Sequence, residues 1–142
     1  MKLRAIQRSP ASLGGVWWDF ETGDRVAAPN DHLCLLIAEH GNPRHAEAVD
    51  ALRLLHHTAL RAGGDDAKKA RDAIAVRSLD DGVLLGWANV EDDDGKPIEY
   101  SPERAAEILG DTQNWPLARF VLNASNLSSF YRKEQEEEAK GN

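Results

Sequence analysis

The sequence holds a single cysteine, Cys34, so no disulfide can form within the chain. That suits a reducing compartment, and a chain of 142 residues can bury roughly two thirds of its unfolded surface without a covalent staple. No apolar run approaches the ~20 residues of a membrane span. The opening MKLRAIQRSP is polar and basic and lacks the apolar core of a signal peptide. These absences predict a cytosolic protein with no membrane partner. Basic residues are also in deficit: 17 Lys and Arg face 24 Asp and Glu, a formal net charge of −7. A general nucleic-acid binder needs a basic face to displace phosphate counterions. Beyond a small patch at Lys2, Arg4 and Arg8 there is none, so no nucleic-acid partner is expected. The same acidity helps solubility and disfavours anionic membranes.

Catalytic motifs are missing too. The chain has no Gly-x-Ser-x-Gly elbow, and no Gly-Lys-Ser/Thr follows Gly14-Gly15. It has no cysteine pair and no His-Glu-x-x-His. His56 and His57 are neighbours and would point about 100° apart on a helix. His45 and His56 share a helical face with Val49 and Leu52, too far apart to hold one ion without a third partner. The acidic run Glu91–Gly95 invites a calcium reading. With Gly95 at the sixth position of such a loop, Val90 falls at the first and Ser101 at the twelfth, and both must be acidic ligands. The reading fails, and an acidic hairpin turn remains. Paired carboxylates elsewhere lie in turns and tails, where pKa perturbation is not expected. We therefore expect no enzyme, no metal and no cofactor.

What is present is a sequence of well-punctuated elements, expected to form one domain over 1–142. Residues 1–14 read as a loose polar arm. Val16–Phe20 is rich in strand formers; Glu21–Asp24 supplies a turn with Gly23 free to take positive φ, and Arg25–Ala27 returns. Trp18 and Phe20 share one strand face and Trp17 points to the other. Leu33–Ala38 is a short apolar run whose pattern fits a buried strand or a helical turn; its shortness and the stop at His40–Pro43 favour a third strand. Asn42-Pro43 starts a helix, a capping side chain followed by a proline whose missing N–H costs nothing there. It should run to about Ala62 with Val49, Leu52, Leu55 and Ala59 inward. Asp65-Asp66 opens a second helix, suited to its N-terminal dipole. Ala73, Val76, Leu79, Val83 and Trp87 keep helical spacing, so either one long helix with a weak middle at Asp80–Gly82 or a break near Gly82 is expected, the long helix being favoured. Around Asp94-Gly95, Ala88 and Val90 should pair with Ile98 and Tyr100 in a short hairpin; Pro97 makes that arm an edge strand. Ser101-Pro102-Glu103 restarts a helix that Gly110 closes. Asn114–Arg132 is the last, with Leu117, Phe120, Val121, Ala124, Leu127 and Tyr131 on one stripe. KEQEEEAKGN over 133–142 is a polar tail.

The expected fold is α+β, mainly α: a small N-terminal antiparallel β-sheet in 1–40, then about four helices over 41–132 with a short β-hairpin between the third and fourth.

Several of these pieces together resemble the tail assembly chaperones of long-tailed, non-contractile bacteriophages and prophages. The resemblance is carried by the aromatic strand Gly15–Trp18 and by Leu36–Pro43, a short strand ending in an Asn-Pro helix start. It is carried further by Leu85–Trp87, Asp94–Ile98, Tyr100–Glu103 and a C-terminal helix ending at Ser129-Phe130-Tyr131. It extends over nearly the whole chain and is thinnest over Asp65–Ala75. It implies a non-enzymatic factor that binds the tape measure protein, promotes tail tube assembly and is absent from the mature virion. It further implies self-association in rings or helical arrays, the major tail tube protein as a second candidate partner, and a site of action in the host bacterial cytoplasm. The candidate protein-interaction residues are Trp17, Trp18 and Phe20 on the sheet and Phe120, Leu127 and Tyr131 on the last helix. A small structural tail or connector component of the virion is the alternative. An acidic nucleic-acid mimic would require Asp65, Asp66, Asp80, Asp81 and Asp92–Asp94 to share one face.

Overall fold

The structure, a computed structural model, describes residues 2–132; the polar tail at 133–142 lies outside the described residues. Four strands and six α-helices are present among these residues. The strands are β1 (Val16–Asp19), β2 (Arg25–Val26), β3 (Cys34–Ile37) and β4 (Leu84–Ala88). The helices are α1 (Ala11–Gly14), α2 (Pro43–Leu55), α3 (His57–Ala62), α4 (Gly64–Arg77), α5 (Pro102–Gly110) and α6 (Trp115–Ser125). The sheet is wholly antiparallel in the order β2-β1-β3-β4. The expected fold class holds.

The β1–β2 hairpin and β3 form as the local sequence requires. Gly23 takes φ +79° in the turn. The Asp19 carboxylate closes that turn, accepting from the backbone N–H of Glu21 at 2.9 Å and of Thr22 at 3.1 Å. Val16, Trp18, Leu35, Ile37, Leu84 and Trp87 are buried together on the core side of the sheet. Val121, Ala124, Leu109 and Ala105 cover them from α6 and α5.

The fourth strand corrects the sequence reading. Helix α4 stops at Arg77, and Leu84–Ala88 pairs with β3. Asp80-Asp81-Gly82 is the break, with Gly82 at φ +91°. The helical spacing was produced by a bulge: Leu36 pairs with Gly86 and Ile37 with Leu84, which leaves Leu85 unpaired. One extra residue makes Leu84 and Trp87 face the same way although three apart. The sheet therefore draws on residues far outside 1–40. The helix expected to reach Ala62 is interrupted at His56, which lets α3 turn back along α4. Leu55, expected inside, is 77% exposed. The last helix also ends early, at Ser125; Ser128–Tyr131 is a 3-10 turn.

The acidic turn forms one bridge, Glu91 to Pro97, with the Ile98 N–H donating to the Val90 carbonyl at 2.8 Å. Ala88 pairs with Cys34 instead of the return arm. The turn is held by side chains: Trp87 Nε1 donates to the Ile98 carbonyl at 2.7 Å, and the Tyr100 hydroxyl donates to the Leu84 carbonyl at 2.6 Å. Their rings meet edge to face at 5.0 Å. The N-terminal arm is tied down as well. The Ser9 N–H donates to the Tyr131 carbonyl at 2.8 Å, Ser12 Oγ donates to Glu39 at 2.8 Å, and Arg8 pairs with Glu39 at 2.8 Å. Glu39 is buried and needs both partners.

Candidate functional site

Asn42 caps α2 by accepting from the N–H groups of Arg44 and His45, at 3.0 and 3.1 Å. Its amide donates to the carbonyls of Glu39 and Gly82, at 2.7 and 2.8 Å. This junction fixes α2 beside the end of α4. His45 is buried beneath it. Its Nδ1 accepts from the Gly41 N–H at 2.8 Å and its Nε2 lies 3.0 Å from Ser78 Oγ. Burial, and secondarily the neighbouring His40 ring at 4.3 Å, pushes the His45 imidazole down to about 4. It is a neutral structural group at pH 7.

With α2 and α4 so placed, α5 and α6 complete an open groove of about 900 Å³. Helix α2 supplies Ala48, Ala51 and Leu52, α4 supplies Ala73 and Val76, α5 supplies Ala106 and Leu109, and α6 supplies Trp115 and Ala118. Alanines on all four helices leave unfilled the space that larger side chains would occupy. Trp115 is 59% exposed at the edge, with the Arg119 guanidinium 5.4 Å from its ring centre. Leu55 lies one turn beyond Ala51 and Leu52 on the same face of α2 and extends the apolar surface. Among the described residues, Asp72, Asp80, Asp81, Glu107 and Asp111 rim the groove together with Arg77. Burial raises the Asp80 carboxyl above its ordinary range. An apolar trough between helices with an exposed Trp is what an amphipathic helix needs for docking.

The residues expected to face a partner are placed differently. Trp18 is buried, edge to face with Phe130 at 5.1 Å and Phe120 at 6.5 Å. Phe20 and Phe120 meet at 5.2 Å. The two expected surfaces thus face each other inside the molecule, and Tyr131, which is fully buried, seals the contact by donating to the Ile37 carbonyl at 2.9 Å. Trp18 and Tyr131 are corrected from surface to core. Their apolar area is worth more when buried together than when left to solvent. Trp17 lies half-buried on the outer face of the sheet, opposite Val26 and Leu36. Leu127 is partly exposed beyond the end of α6 and does not line the groove. Trp115 was missed because Asn114-Trp115-Pro116 reads as a helix start; only its position off the apolar stripe of α6 hinted at exposure.

A second polar cluster sits at the hairpin end. The Asp19 carboxylate also accepts from Asn30 Nδ2 at 2.9 Å and contacts His32 Nδ1 at 2.8 Å. The Asn30 bond, above all, holds Asp19 well below the usual carboxylate range, and the Asp19 contact raises His32. Asn89, at φ 64°, donates to the carbonyls of Asn30 and His32. These bonds lock a loop, and no group of three or more metal-ligating side chains occurs among the described residues. The acids do not share one site: Asp80 and Asp81 rim the groove, Asp92 lines a separate recess with Lys96 and Arg104, and Asp65 and Asp66 open α4.

A family model described as YdaY prophage protein matches residues 40–142. Every residue lining the groove lies within the matched segment, which begins after β3. No curated protein and no solved structure gives a significant match.

Proposed function

The chain belongs to the YdaY prophage protein family, and from that premise we propose that it is a non-enzymatic tail assembly chaperone. In this reading the protein binds the tape measure protein in the host bacterial cytoplasm and keeps it soluble until the tail tube assembles. It then leaves the particle. Self-association and a contact with the major tail tube protein accompany the role.

The observation that carries the reading is the groove between α2, α4, α5 and α6 with Trp115 at its edge. A tape measure holdase needs an apolar trough for amphipathic helices and affinity moderate enough to release them. The sequence resemblance to tail assembly chaperones supports this reading, and the prophage family supports a phage-associated role.

The test is co-expression with the tape measure protein of the same prophage. Soluble tape measure protein, recovered bound only when this chain is present, supports the proposal. Tape measure protein that is equally soluble alone, or recovery of this chain in purified particles, replaces the proposal with a virion-component role.

A further inference from the structure

We infer that the groove selects its occupant by charge, taking an amphipathic helix whose apolar stripe is flanked by Lys and Arg. The inference rests on the groove being the partner site proposed above.

Among the described residues, the lining carries five carboxylates and one guanidinium. Three of the acids are already matched by exposed cations of this chain. Asp72 pairs with Lys68 at 3.6 Å, Asp81 with Arg44 at 3.3 Å and Glu107 with Arg104 at 3.7 Å. Neither Asp80 nor Asp111 is in an ion pair with any described residue. Asp80 is also partly withdrawn from water, so its charged form lacks solvation, and Arg77 offsets this only in part. A cation delivered beside Asp80 by an incoming helix supplies what burial removed. An acidic helix brings no cation to Asp80 or Asp111 and meets their repulsion across a trough with low-dielectric walls, where it is screened less than on an open surface. The apolar floor holds either helix equally well, so the rim decides between them.

The test uses two dye-labelled synthetic helical peptides with one Leu/Ala stripe, flanked by Lys in one and by Glu in the other. Anisotropy is followed against the full chain. The Lys peptide should bind about tenfold tighter or better, with a preference that shrinks as salt rises. A chain carrying Asp80→Asn and Asp111→Asn should lose several-fold affinity for the Lys peptide alone. The second asparagine keeps the side-chain oxygen that accepts from the Gln113 N–H, so the fold is retained.

Equal affinity for the two peptides, failure of both to bind, or a Lys-peptide affinity unchanged by the double substitution overturns the charge rule. The co-expression result is independent of all three. One other occupant is present in the chain itself: the N-terminal arm, with Lys2 beside the exposed Leu3 and Ile6. Suppose a Leu3→Asp, Ile6→Asp chain loses a concentration-dependent oligomer and gains peptide affinity. The groove then belongs to a second copy, and the inference fails.

Discussion

Asn42 Nδ2 donates to the carbonyl of Gly82 at 2.8 Å, across 40 positions of chain. The same side chain caps α2, so one residue both starts a helix and attaches it to the turn that ends α4 and leads into β4. A β-carbon on Gly82 would stand 2.8 Å from the His45 backbone nitrogen. The two chain segments approach this closely only because position 82 has no side chain.

Asn42→Ala should therefore cost about 2–3 kcal/mol, a lost cap plus two buried carbonyls left without a donor. Gly82→Ala should cost at least about 2 kcal/mol, combining a strained φ with a backbone clash. Gly95→Ala is the control: φ is +78° but nothing lies within 4 Å, so only about 1 kcal/mol should be lost. Urea unfolding midpoints at constant m-value check all three.

His45 makes stability depend on pH. Its folded value is lowered to about 4 from 6.5, so the unfolded chain binds the extra proton first. The contribution is complete above pH 6.5 and is lost as pH falls toward 4, by about 3 kcal/mol in all. His32 is raised by Asp19 and acts in the opposite sense, its contribution being present at low pH and lost as pH rises through its folded value. The comparison that isolates His45 is denaturation of the native chain and a His45→Gln chain at pH 7, 6 and 5. The gap between them should narrow as pH falls; a constant gap would remove His45 as the cause.

Tyr131→Phe should cost about 1–2 kcal/mol, because the buried Ile37 carbonyl loses its side-chain donor. Tyr131→Ser should cost about 3–5 kcal/mol through the cavity it leaves against Trp18 and Phe130. Both losses should appear in calorimetry of the isolated protein, without any partner.

Trp115→Ala should change stability by less than about 1 kcal/mol, since the ring is mostly exposed. Under the proposed function it should still weaken tape measure binding about tenfold or more, the usual cost of removing an aromatic anchor. Leu127→Ser should leave binding unchanged. Loss of binding at Leu127 with no effect at Trp115 would move the site to the far end of α6.

The groove was the least legible part of the sequence, because it is made by what does not fill it. Ala48, Ala51, Ala73, Ala106 and Ala118 each read as ordinary helix formers. Nothing in their own segments says that they face one another.

By itself the sequence determined what short-range chemistry controls. Asn42-Pro43 and Ser101-Pro102 start helices, Gly23 and Gly95 take the positive φ of their turns, and Val16–Asp19 and Cys34–Ile37 form strands. In each case the deciding atoms lie within a few residues of one another. Tertiary structure decided the rest. Leu84–Ala88 has helical spacing in isolation but becomes a strand because β3 offers an unpaired edge and the bulge at Leu85 absorbs the extra residue. Trp18 and Tyr131 go inward because Phe120, Phe130 and the Ile37 carbonyl meet them there. Backbone pairing and apolar burial reward contacts between distant segments, and no local pattern records which segments will meet.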